Sequence, residues 1–251
     1  MLRRNYKECF SSVFHDYKNT KNCRILNFMS LISHRGADSL APANSIEGVI
    51  IADTFKPLFI EIDVNCTADF VIVTGHGPLK QEATGVILED TYAEFIEKYP
   101  HISKIHTVFD LKLTAPLLLD IKTSDPKALK LIEKEIRRAK LKDFSFTSPH
   151  PEALVFLQKI FVDAPIYVTQ HYHASPIKAI ELARKHKFDG ISMSKWQVNP
   201  YTMTLCSFYR KNVNVYTVDS ALLMWLIQRI YPRVNIVTNK PQLYRKLFPF
   251  R

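Results

Sequence analysis

Glu61 and Asp63 stand two residues apart in the stretch LFIEIDVNCTADFVIVTGH, residues 58–76, which ends in His76. The stretch is two short runs rich in β-branched and aromatic residues, LFIEIDV and FVIVT, joined around Ala68 and Asp69. So short a connection cannot make a parallel crossover, and a hairpin is predicted. Side chains alternate with period two, so Glu61 and Asp63 share a face. Pairing about the turn sets Glu61 opposite His76 to within about one residue. Carboxylates and an imidazole at the end of an apolar hairpin are costly to bury unless a cation or a substrate meets them. Two more pairs close apolar runs in the same way: His34-Arg35 after NFMSLIS, and Asp120 with Lys122 in APLLLDIK. Three carboxylates suit a hard divalent cation, Mg²⁺ or Ca²⁺. Two histidines, an arginine and a lysine beside it suit a phosphate ester, the cations facing phosphoryl oxygens while one imidazole takes a proton and the other gives one. The inventory points to phosphodiester cleavage.

The elements that must position these residues are legible in order. NFMSLIS reads as a strand, and SIEGVIIADTF as a helix with Asn44 and Ser45 as candidate N-caps. After the hairpin, LEDTYAEFIEKY and TVFDLKL read as helices, APLLLDIK as a buried strand, and DPKALKLIEKEIRRAKL as an amphipathic helix capped by Asp125. FSFTS, APIYVTQ, FDGISMS, VNVYTV and VNIVTN follow as strands, each with a helical segment after it. Leaving out the hairpin's return strand, eight strands alternate with helices. This predicts an α/β fold, a single (β/α)8 TIM barrel with a β-hairpin after strand two, over residues 29–251. An open doubly wound sheet would want a glycine-rich first turn, and the six glycines form no G-x-G-x-x-G. Residues 1–28 are polar and mixed, and read as an N-terminal arm or helix. In such a barrel the site lies at the strands' C-terminal ends, where the dense cluster comes from the first three strands. The later strands end in Ser145 or Thr147, Thr169 with Gln170 and His171, Ser192 and Ser194, Tyr216, and Thr238 with Asn239. His15, His101, His106, His150, His173 and His186 fall in helices or loops without comparable neighbours, and a structural role is expected for them.

Of 251 residues 47% are hydrophobic, enough to bury the core of one domain. No apolar run approaches the roughly 18 residues of a membrane span, and the first residues lack the apolar core of a signal peptide, so a cytoplasmic location is expected. The four cysteines show no C-x-x-C spacing, so neither a zinc site nor a disulfide framework is signalled. The net charge of +10 is spread along the chain with no nucleic-acid-binding signature. Nucleic acid is therefore not the expected partner; an anionic small molecule is, with peripheral contact to an anionic membrane allowed by the charge and by Phe70, Tyr172, Trp196 and Tyr216 near strand ends.

The order of these residues resembles the glycerophosphodiester phosphodiesterases, metal-dependent TIM barrels. That family's His-Arg-Gly and following Pro-Glu-Asn are matched by His34-Arg35-Gly36 and Pro42-Ala43-Asn44. Its Glu-x-Asp, Thr-x-Asp-Gly and His-Asp are matched by Glu61-Ile62-Asp63, Thr67-Ala68-Asp69-Phe70 and His76-Gly77. Its Glu-x-Lys, Trp-Thr-Val and Thr-Asp-x-Pro are matched by Asp120-Ile121-Lys122, Tyr216-Thr217-Val218 and Thr238-Asn239-Lys240-Pro241. The resemblance runs from about residue 30 to the C-terminus. It implies His34 and His76 as acid and base, Glu61, Asp63 and Asp120 as metal ligands, and Arg35, Lys122 and Tyr216 as substrate contacts. The implied reaction is hydrolysis of a glycerophosphodiester to glycerol phosphate and an alcohol. Lysophospholipase D or sphingomyelinase D type cleavage of a lipid, and a non-catalytic phosphoester-binding barrel, are the alternatives. Asp120 shortens a ligand by one methylene, and Ala43, Phe70, Gly77, Tyr216 and Asn239 also depart from the pattern, which reads as an altered substrate more than as lost activity. The segment between His76 and the third barrel strand is short, leaving little room for a capping subdomain over the mouth.

Overall fold

The computed structural model describes residues 30–78, 84–170 and 175–249. The arm expected over residues 1–28, and His15, His171, Tyr172 and His173, lie outside them. The strands are β1 (Leu31–Ser33), β2 (Phe59–Cys66), β3 (Ile72–Thr74), β4 (Leu117–Ile121), β5 (Phe144–Ser148), β6 (Ile166–Thr169), β7 (Gly190–Ser194), β8 (Asn212–Tyr216) and β9 (Asn235–Thr238). Eight of them pair in parallel in the order β1-β9-β8-β7-β6-β5-β4-β2, and β1 also pairs with β2, which closes the ring. β3 pairs antiparallel with β2 outside the ring, the predicted hairpin. Its register sets Val64 against Thr74 and Cys66 against Ile72, one residue from that expected. Glu61 is therefore not the partner of His76: the ladder ends at Val64, and His76 follows β3 beyond the Gly75 N–H, which donates to the Asp63 carbonyl at 3.0 Å. Thr67 and Asp69 hold the turn, the Thr67 hydroxyl donating to the Asp69 carboxylate at 2.6 Å.

Several of the helices between strands begin at side-chain caps. α1 (Ile46–Thr54) starts at Ser45, whose hydroxyl accepts from the Gly48 N–H at 3.0 Å. α2 (Tyr92–Lys98) starts at a capping box of Thr91 and Glu94, and is followed by α3 (Ile105–Phe109), two residues earlier than the apolar pattern of TVFDLKL suggests. α4 (Pro126–Ala139) starts at Asp125, which accepts from the Lys127 and Ala128 N–H groups. α5 (Pro151–Ile160), α6 (Pro176–Lys185), α7 (Pro200–Phe208), α8 (Ala221–Ile230) and α9 (Pro241–Leu247) complete the outer ring. Proline at the first helical turn recurs from α4 to α7 and at α9, where a missing N–H costs nothing. Among the described residues no helix is long and apolar enough to cross a membrane, and Cys66 and Cys206 are free, buried thiols.

Period two along each strand splits the core. One set of side chains meets the helices in a large cluster that includes Leu31, Ile60, Ile62, Leu119 and Phe146. The other set fills the ring: Ile32, Leu118, Tyr167 and Val237 pack together, with Phe59 and Tyr216 against them. The next inward residues up β1, β2 and β4 are then His34, Glu61 and Asp120. The apolar plug is the floor on which the charged cluster stands, as barrel geometry requires.

Candidate active site

The loop after β1 is shaped to bring backbone and side chain together on the β2 carboxylates. Arg35 has φ 51° and Gly36 φ 80°, so the chain reverses over two left-handed residues. A Cβ on Gly36 would come within 2.7 Å of the Gly48 carbonyl carbon and 2.9 Å of the Val49 nitrogen, so only glycine fits between this turn and α1. The reversal points the Arg35 N–H at Glu61 Oε2 (2.7 Å) and its guanidinium at Asp63 Oδ2 (3.0 Å). Asn44, at φ 62°, is not a helix cap. Its Oδ1 accepts from the Asp63 N–H at 2.9 Å, and its Nδ2 donates to Asp63 Oδ2 at 2.8 Å. Thr74 on β3 donates to the Asn44 carbonyl at 2.9 Å, so the hairpin return braces the residue that clamps Asp63.

Glu61, Asp63 and Asp120 are all buried, and one carboxylate oxygen from each lies within 4.8 Å of the others. Lys122, 5% exposed, bridges Asp63 Oδ1 at 2.9 Å and Asp120 Oδ2 at 2.6 Å. Burial and the facing Asp63 and Asp120 push the Glu61 carboxyl well above the usual carboxylate range, against the pull of Lys122 and Arg35. Burial would raise Asp63 too, but Lys122, Arg35 and His76 outweigh it and hold Asp63 below that range. The cluster thus has one well-compensated carboxylate and one whose charge lacks compensation. Oxygens at this spacing and burial fit a hard divalent cation, which takes carboxylate oxygens at about 2.0–2.6 Å. Asp120, one methylene shorter than the glutamate of the resembled pattern, still brings an oxygen to the group.

His34 stands at the end of β1 with Nε2 3.9 Å from Glu61 Oε2 and Nδ1 2.6 Å from Asn239 Oδ1. Burial and Arg35 lower its pKa, only partly opposed by the Asn239 hydrogen bond and Asp63. His76 follows β3, and its Nδ1 is 2.7 Å from the Gly77 carbonyl, which can only accept, so Nδ1 carries a proton. Tyr216 ends β8 with its ring on the apolar floor and its hydroxyl donating to the Gln170 carbonyl. The remaining strands supply neutral polar groups: Thr147 meets Thr169 at 2.7 Å and Ser192 at 3.3 Å, and Asn214 donates to Ser192 at 3.2 Å. The buried carboxylates Glu61, Asp63 and Asp120 and the buried Lys122 come from the β2 and β4 side of the ring, next to His34 and Arg35 after β1, as the sequence indicates. Elsewhere His186 stacks on Phe188 and His101 meets Tyr99 edge-on, both structural uses of the ring.

No family model matches the chain, and no curated protein matches it. Solved structures do share its fold. A glycerophosphodiester phosphodiesterase from Parabacteroides distasonis superposes with a TM-score of 0.71 at 22% identity, covering 87% of this chain and 95% of that one. The Thermotoga maritima glycerophosphodiester phosphodiesterase gives 0.68 at 17% identity, over 87% and 98%. An Oleispira antarctica phosphodiesterase, solved with its product sn-glycerol-3-phosphate, gives 0.73 at 16% identity, over 88% and 96%. The chain has the barrel fold of these phosphodiesterases over nearly their whole length.

Proposed function

We propose that this chain is a metal-dependent glycerophosphodiester phosphodiesterase, with Glu61, Asp63 and Asp120 holding Mg²⁺ or Ca²⁺ and His34 and His76 moving the protons. The observation that carries the reading is the buried three-carboxylate cluster at the mouth of a barrel of this fold, flanked by Arg35, Lys122 and His34. Three carboxylates against two cations leave one negative charge. A divalent cation turns this into one positive charge, which a phosphodiester monoanion cancels. When bound, the metal polarises a phosphoryl oxygen and neutralises charge that develops on it.

The chain's own residues do the rest. His34, whose charged form is disfavoured by burial and by Arg35, takes the proton from the attacking oxygen at Nε2. That oxygen is the substrate's neighbouring hydroxyl or a water; it bonds to phosphorus as the bond to the leaving alcohol breaks. His76, close enough to Asp63 to help hold that carboxyl below its usual range, gives the leaving oxygen its proton. Arg35 and Lys122 orient the phosphoryl oxygens. If the substrate's hydroxyl attacks, the cyclic phosphate formed is opened by water with the two imidazoles exchanging roles. The product sn-glycerol-3-phosphate bound by the Oleispira antarctica enzyme supports a glycerol-containing substrate.

A lysophospholipid is the second reading, favoured by the rim. Trp196, 80% exposed after β7, Tyr201 in the first turn of α7 and Leu222 in the first turn of α8 all stand on the strands' C-terminal side, with the Lys195 ammonium 5.5 Å from the Trp196 ring. Exposed aromatics beside a cation suit an anionic lipid surface. Glycerophosphocholine and glycerophosphoethanolamine, assayed beside the matching lysolipids with Mg²⁺, with Ca²⁺ and with excess chelator, test both. Metal-dependent cleavage of the water-soluble diesters is expected. Cleavage of lysolipids alone selects the second reading, and absence of turnover with every substrate, or full turnover in chelator, overturns the proposal.

A further inference from the structure

His34 does not stand alone at the end of β1. Its Nδ1 lies 2.6 Å from Asn239 Oδ1, and the Asn239 Nδ2 donates to Asp219 Oδ2 at 2.8 Å. The Asp219 Oδ1 accepts from the Asn239 N–H at 2.9 Å and from the Thr238 hydroxyl at 2.8 Å. The His34 N–H in turn donates to the Thr238 carbonyl at 2.9 Å, and the Ser39 N–H to the Asn239 carbonyl at 3.1 Å. The ends of β1, β8 and β9 are stitched into one unit.

The direction of the chain of hydrogen bonds follows from donor inventory. A carboxylate only accepts, so the Asn239 amide must turn its NH₂ to Asp219, and this leaves its carbonyl oxygen, which also only accepts, toward His34. The neutral imidazole must then carry its single proton on Nδ1. Its lone pair is on Nε2, the nitrogen that faces Glu61.

We infer that Asn239 and Asp219 are positioning residues that fix the tautomer and ring orientation of His34, so that Nε2 is the proton acceptor presented to the site. The inference rests on the reading of His34 as the base, but the tautomer itself is readable without turnover. The amide makes the arrangement one-directional: a carboxylate at position 239 would hold the same tautomer, while an amide with no Asp219 behind it could turn either end to the ring. The polarity of the His34 contact is therefore set one residue further out, at Asp219 in the loop after β8, whose carboxylate accepts from Thr238 and Asn239.

The test is ¹⁵N-histidine correlation spectroscopy on the full chain, with the His34 signals assigned from His34→Gln, and kinetics alongside. Wild type is expected to show, at a pH where His34 is neutral, a protonated Nδ1 and an unprotonated Nε2. Asn239→Ala, which leaves the Thr238 tie to Asp219, is expected to give mixed tautomers. Its kcat should fall about 10–100-fold, with KM changed no more than roughly threefold. Asp219→Asn should show the same loss, and the exchange of the pair, Asp219→Asn with Asn239→Asp, should restore the single tautomer and, above an acid limb moved to higher pH by the carboxylate now beside His34, most of kcat. Melting curves separate a variant that fails to fold from one that loses the tautomer. A single wild-type tautomer surviving Asn239→Ala, or a double exchange no better than Asp219→Asn, overturns the inference while leaving the proposed activity intact. A tautomer that responds as expected in a chain that cleaves no diester sinks the activity and leaves the positioning role standing.

Discussion

Asp63→Asn and Glu61→Gln remove the same charge two residues apart, yet they should move the stability of the metal-free chain in different directions. Asp63 is clamped by Asn44 and paired with Arg35 at 3.0 Å and Lys122 at 2.9 Å. Breaking a buried pair by removing one partner costs about 3–5 kcal/mol. Lys122 keeps Asp120 and Arg35 is 28% exposed, which places Asp63→Asn near the lower figure. For a barrel of this length 1 kcal/mol is about 2–4 °C, so the midpoint should fall by roughly 6–12 °C. Glu61 instead faces two carboxylates with oxygens within 4.8 Å. Each such repulsion is about 3.5 kcal/mol at an effective dielectric of about 20, and Lys122 and Arg35 must offset both. A glutamine keeps the acceptor for the Arg35 N–H and removes the repulsion, so Glu61→Gln should leave the metal-free midpoint unchanged or raise it. With Mg²⁺ or Ca²⁺ at about a hundred times its dissociation constant, wild type should gain about 2.7 kcal/mol, roughly 5–11 °C, and both variants should lose that gain. Thermal melts with and without metal read all of this. Equal falls in both variants, or a metal-induced rise kept in either, would refute the account of which carboxylate is compensated and which awaits the cation.

Three further outcomes are expected. His76→Ala should be rescued by a substrate with a good leaving group, such as a nitrophenyl ester, whereas His34→Ala should not, each costing on the order of 10² to 10⁴ with ordinary substrates; equal rescue of both removes the separate roles. The acid limb of kcat/KM should have its midpoint below the ordinary imidazole value of about 6.5, since burial and Arg35 lower His34, a bound divalent cation acts in the same direction, and activity is lost as falling pH protonates the base. A midpoint above about 7 contradicts this. Gly36→Ala should cost about 2–4 kcal/mol, from a left-handed φ and a Cβ driven against the α1 backbone, and lower activity with stability; a melt within about 1 °C of wild type would show that the turn has room.

What the sequence made legible follows from how local each signal is. Strand and helix order, the Ser45 and Asp125 caps and the inward face shared by Glu61 and Asp63 depend on residues within a turn of one another, so pattern and spacing reach them. The hairpin register is legible only to within one residue because the turn uses Thr67 to Phe70, with Phe70 at φ 59°, and nothing short of the turn's hydrogen bonds fixes where the ladder begins. Asn44 was visible as a motif residue and as a candidate cap, yet its role depends on Asp63, nineteen positions on, and on a brace from Thr74.

The least legible feature is the one that decides how His34 works. Asn239 lies 205 residues from His34, and its effect depends on which end of its amide faces the ring, a choice made by Asp219 on another strand's loop. In sequence, Asn239 looks like the loss of a carboxylate from the family's Thr-Asp-x-Pro pattern. In the fold the carboxylate is present one hydrogen bond further out, where it orients the amide without placing its charge beside the imidazole. A carboxylate in direct contact would favour the imidazolium, and His34 already stands near Glu61 and Asp63. A neutral amide keeps the acceptor geometry with a weaker pull toward the imidazolium, so burial and Arg35 still favour the neutral form a base needs. The departure from the pattern is therefore compatible with an intact proton acceptor, and changes which residue sets its orientation.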